Sequence, residues 1–67
     1  MSTESIGTAA GAVWTALSTS GKMSVKDLKK ATKIKTDKII FSAIGWLAKE
    51  GKLVFEEKDD DLIVWLA

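Results

Sequence analysis

Apolar positions along this chain fall first into a helical rhythm and then into a strand rhythm. From Thr3 to Ser20, Ile6, Ala10, Val13, Trp14 and Leu17 recur at helical spacing, so a helix is predicted over 3–20, with Gly21 where a C′ glycine belongs. Trp14 is read as a core residue of that helix. Val25, Leu28 and Ala31 form a second stripe, and Ser24 followed by Asp27 approximates a capping box, which predicts a short helix over 25–32. Lys33-Ile34-Lys35 leaves no length for a long loop, and Ile34, its one apolar residue, should plug the angle between two helices. Thr36 is the next N-cap candidate, with Asp37 in a first turn where the helix dipole favours an acid. The third helix, over 37–50, is apolar nearly all round through Ile39, Ile40, Phe41, Ala43, Ile44, Trp46, Leu47 and Ala48. Its polar stripe is Lys38, Ser42, Gly45 and Lys49, and Gly51 ends it as a C′ glycine.

After Gly51 the period shortens. Leu53 to Glu57 and Leu62 to Leu66 are β-rich runs separated by Lys58-Asp59-Asp60-Asp61, and Asp is a turn former, so a β-hairpin is predicted over 52–66. Leu53, Phe55 and Glu57 share one face of its first strand. The second strand is apolar on both faces, unusual for the outside of a small protein. The fold class is α+β: one domain over 1–67, three helices followed by a two-stranded hairpin, with no repeat and no low-complexity segment.

Length sharpens the picture. A chain of 67 residues buries only about 60% of the surface its unfolded form exposes. With no Cys and no His, disulfide staples and the common zinc patterns are excluded, and no metal or cofactor is expected. A dense core or a partner must do the stabilising. Gly7 and Gly11 each lower helix propensity by about 1 kcal/mol relative to Ala, which fits close backbone packing or tolerated surface positions equally well. Met1 to Ser5 carries Glu4 and no basic residue, unlike a signal peptide, and the longest near-apolar run, Ile39 to Ala48, is about half a membrane span. A cytoplasmic protein is expected.

The net charge of +1 conceals an asymmetry. Between Lys22 and Lys38, seven Lys oppose two Asp, giving +5; between Glu50 and Asp61, six acids oppose two Lys, giving −4. All ten basic residues are Lys, so no guanidinium fork exists anywhere in the chain.

The order helix, short helix, tight turn, helix, hairpin resembles the winged helix-turn-helix. The resemblance is carried by Leu28, Ala31, Ile34, Ile40, Ile44 and Leu47 at their joint spacing, then by the Leu47-Ala-Lys-Glu-Gly51-Lys-Leu53 passage into a wing, and it spans Ile6 to Leu66. Leu28 and Ala31 would pack the first helix of the motif and Ile34 its turn. More narrowly, Ile44 to Leu53 and the Phe55-Glu-Glu-Lys-Asp-Asp wing resemble a family of short stand-alone prokaryotic winged-helix proteins named for their fold. The resemblance implies a DNA-binding or partner-binding module, and the fold alone names no target.

For DNA, the second helix of the motif enters the major groove while nearby Lys contact phosphates. Thr36, Lys38, Ser42 and Gly45 would face bases, Lys26, Lys30, Lys33 and Lys35 would face phosphates, and the helix start at Ser24 could hold one more phosphate. A total of six phosphate contacts would give a log-log salt slope of about −5. Against sequence-specific readout stand the absence of Arg, the Asp-rich wing tip, and the apolar Phe41 and Trp46 on a helix where a groove reader is polar. Lys-rich helices are also ordinary solvated surfaces. Phe41, Trp46, Ile63 and Trp65 are instead candidates for an interface covered by a protein partner or by a second subunit of a homodimer. Three consecutive Asp lack the Gly and distal Glu of a calcium loop. With no His, Cys, Tyr or Arg and no phosphate-loop motif, the expected role is binding and not catalysis, in transcription or chromosome organisation or as a protein-interaction module.

Overall fold

The computed structural model describes residues 3–67, and their side chains from Ile6 onward. The reading of Met1 to Ser5 as unlike a leader lies outside those side chains. Six elements follow in order: α1 (Thr3–Ser20), β1 (Met23–Ser24), α2 (Val25–Thr32), α3 (Asp37–Lys49), β2 (Leu53–Lys58) and β3 (Asp61–Leu66). Each helix lies within a residue of its sequence-predicted span. Glu50, placed in the third helix above, is instead its C-cap.

Local chemistry explains the boundaries. Ser24 caps α2, its Oγ accepting from the Asp27 N–H at 3.2 Å. Thr36 caps α3 in extended conformation, but its carbonyl, and not its hydroxyl, receives the Ile39 and Ile40 N–H groups. Gly51, at φ 71°, closes α3 in a Schellman arrangement: its N–H donates to Ala48 O at 3.0 Å, and the Lys52 N–H donates to Leu47 O at 2.9 Å.

The helices cover one face of an antiparallel sheet whose order is β1-β3-β2. Two strands were expected, and among the described residues there are three. Met23 and Ser24 pair with Val64 and Ile63, so the link between α1 and α2 is stitched to the last strand. Two residues show no alternation, which is why β1 carries no periodic signal. The four-residue separator also shortens: Lys58 pairs with Asp61, leaving only Asp59-Asp60 as the turn.

Twelve apolar residues form the core, with Val13, Leu28, Ile40 and Val64 fully enclosed at its centre. Ile34 packs against it from the α2–α3 turn, as its position requires. Two expectations fail here. Trp14 is 47% exposed, because the buried stripe of α1 runs through Ala9, Ala10, Val13 and Leu17, and Trp14 lies about 100° round the helix from Val13. Ala31 is exposed as well, its methyl lining a shallow groove beside Gly11, Ala12 and Ala16 of α1. Gly7 and Gly11 are surface positions: a Cβ at either would meet nothing within 4 Å.

Candidate nucleic-acid interface

Lys26 and Lys30 stand one turn apart on α2, and Lys33 continues the line from the C-cap, where it adopts the left-handed conformation at φ 61°. Lys35 follows in the turn and Lys38 in the first turn of α3. All five are exposed. Lys29, which the sequence reading did not single out, is half-buried and ion-paired with Asp37, tying α2 to the start of α3. No other ion pair occurs among the described residues.

The polar candidates on and around α3 separate by what already holds them. Thr36 has no side-chain capping bond, so its exposed hydroxyl can reach outward. Ser42 is half-buried and its Oγ donates to Lys38 O at 2.7 Å, leaving its lone pairs to accept. Gly45 is exposed with open space where a Cβ would stand. Ser24 is half-buried and its Oγ already accepts from the α2 backbone, which leaves it a structural cap.

Beside this ridge lies an open groove of about 740 Å³ between α2, α3 and the wing. Its lining carries Lys26, Lys29 and Lys58 together with Asp37, Glu57, Asp59, Asp60 and Asp61, and the apolar Phe41. The wing from Glu56 to Asp61 holds five acids and one Lys, a net −4. Asp59 and Asp60 both have positive φ, 51° and 64°, the geometry of a two-residue type I′ turn. The wing therefore faces the helix-turn-helix with negative charge.

Ser24-capped α2, a turn plugged by Ile34, α3, and a hairpin returning beside it make the arrangement of a helix-turn-helix with a wing. A family model described as Winged helix-turn-helix domain (DUF2582) matches residues 1–66. The chain belongs to that winged helix-turn-helix family. Among curated proteins nothing matches it. The winged-helix assignment gives each part its usual name: α2 and α3 are the helix-turn-helix, α3 the recognition helix, and β2–β3 the wing.

The four interface candidates sit on two separate faces of this winged helix. Phe41 and Trp46, 48% and 41% exposed, flank the outer stripe of the recognition helix. Ile63 and Trp65 are half-buried on the sheet face turned away from the core, where the Lys22 Nζ lies 4.4 Å from the centre of the Trp65 ring. Val54 and Phe55, at 39% and 54%, are exposed apolar residues that the sequence reading did not flag. A signal was present: the Leu53, Phe55, Glu57 face ends in an acid, marking where the strand leaves the core. No helix among the described residues is long and apolar enough to cross a membrane.

Proposed function

We propose that this winged helix is a binding domain, not an enzyme, and that it holds double-stranded DNA through phosphate contacts with little base readout. The observation that carries the reading is the exposed line Lys26, Lys30, Lys33, Lys35 and Lys38, which runs along the helix-turn-helix where such domains meet the backbone. Lys supplies charge without a fork, so affinity follows salt more than sequence. The acidic wing is held off the phosphates, which leaves α2, the turn and the start of α3 as the contact. A chromosome-associated or regulatory role in a prokaryotic cytoplasm fits that chemistry.

Fluorescence anisotropy with a random-sequence duplex tests it. Five phosphate contacts give a log-log salt slope of about −4.5, and dissociation constants for binding of this kind are roughly 10⁻⁴ to 10⁻⁶ M at physiological salt. The double variant Lys35→Glu/Lys38→Glu is expected to abolish binding. An unchanged affinity in that variant would sink the reading.

Phe41 and Trp46 favour a second reading, in which the recognition helix docks a protein. That mode is insensitive to salt and is lost on Phe41→Ser or Trp46→Ser, variants that leave the Lys line untouched.

A further inference from the structure

The sheet order leaves β2 on an edge, with no strand on its far side among the described residues. Its free backbone groups can be assigned by parity. The Ala67 N–H donates to Lys52 O at 3.1 Å, and paired residues alternate in an antiparallel ladder, so Val54, Glu56 and Lys58 direct their backbone groups at β3. Leu53, Phe55 and Glu57 direct theirs outward. An edge of this kind is a template for another strand, and natural edges are commonly blunted by Pro, by bulges or by charge. β2 has no Pro, and at its base it presents Val54 and Phe55, both substantially exposed.

We propose that this edge pairs with the same edge of a second copy, antiparallel across a two-fold axis at Val54. Parity selects this family of registers, because Leu53, Phe55 and Glu57 must meet outward-directed residues of the other chain. Charge selects among them. With Val54 opposite Val54 of the second copy, Leu53 faces Phe55, and Lys52 faces Glu56, twice by symmetry. A shift that centres the axis on Phe55 sets Lys52 against Lys58, and one that centres it on Glu56 sets that carboxylate against itself. Only the Val54 register among these three joins apolar to apolar and opposite charge to opposite charge.

The resulting six-stranded sheet has a continuous apolar strip on its outer face, running Trp65, Val54, Val54 and Trp65 across the axis, since Trp65 is the cross-strand neighbour of Val54 in each copy. Phe55, on the inner face beside Val64, gains a cover that its own chain does not provide. A ladder this short buries less than the roughly 1,200 Å² of a standard interface, so the dimer is weak and concentration-dependent. This inference is independent of DNA.

Sedimentation equilibrium of the full chain, without DNA, is the first test. The mass is expected to rise from 7.2 kDa toward twice that value as concentration increases through the micromolar range. Lys52→Glu alone and Glu56→Lys alone each create like charges at both ends of the ladder and are expected to be monomeric. The double variant Lys52→Glu/Glu56→Lys, and an equimolar mixture of the two single variants, are expected to recover the dimeric mass. Circular dichroism verifies that each variant keeps its helices and sheet. A wild-type chain that stays at 7.2 kDa to millimolar concentration overturns the proposal. So does a dimer that neither single substitution disturbs, since it must then form through another face.

Discussion

Two kinds of glycine in this chain predict opposite outcomes for one substitution. Gly51 holds φ 71° with open space around its missing Cβ, so the cost of a side chain there is purely backbone. Gly51→Ala is expected to lower stability by roughly 1–2 kcal/mol, the left-handed penalty for an L-residue, read as a drop in urea midpoint with unchanged slope. Gly11 has the same open space on a helix, without a positive φ. Gly11→Ala is therefore expected to raise stability by about 1 kcal/mol, from propensity alone. If both changes moved the midpoint the same way, the conformational assignment at one of them would be wrong. Trp14 shows what residue-level reading misses. Its spacing from Ala10 and Leu17 puts it at the border of the apolar stripe, and the choice of side is made by the small Ala9 and Ala10 facing the core in its place.

At the scale of elements, caps and turns carry separable contributions. Ser24→Ala removes the acceptor of the Asp27 N–H and is expected to cost about 1 kcal/mol. The wing turn is suboptimal: type I′ geometry favours Asn-Gly, and here Asp occupies both positive-φ positions. Asp59→Asn/Asp60→Gly is expected to raise the thermal midpoint, by relieving a left-handed strain of about 1 kcal/mol or more at Asp60. A fall would mean that the turn uses other geometry. The helices were legible because each bears a periodic stripe and a terminal signal, Gly21, Ser24 or Gly51. Hairpin placement was legible for the same reason, through Leu53, Phe55 and Val64. β1 was not, since two residues held by a strand about forty positions away have no local signature, and the exposure of Ala31 depends on how α1 and α2 close against each other. Of the candidate interface, the Lys line follows from helical spacing, whereas the Lys29 to Asp37 pair and the capping duty of Ser24 arise only once α2 and α3 are placed.

Over the whole molecule, charge is segregated between a basic helix-turn-helix and an acidic wing that share one groove. The turn variant just described halves the −4 of the wing, so under the DNA reading it should tighten duplex binding, most at low salt. Anisotropy titrations of variant and wild type at two salt concentrations check this; equal affinities would show that the wing field does not reach the contact. The sheet has a different kind of global consequence. Its middle strand, β3, is the last of the described elements, and β1 and β2 each pair with it and not with each other. Val64, wholly enclosed, arrives with that strand. A growing polypeptide that has not yet made Asp61 to Leu66 therefore has two unpaired strands and lacks one of the four side chains at the centre of its core. The three-stranded sheet of this domain can close only after Asp61 to Leu66 have left the ribosome, and its pairings are the long-range kind that slow folding.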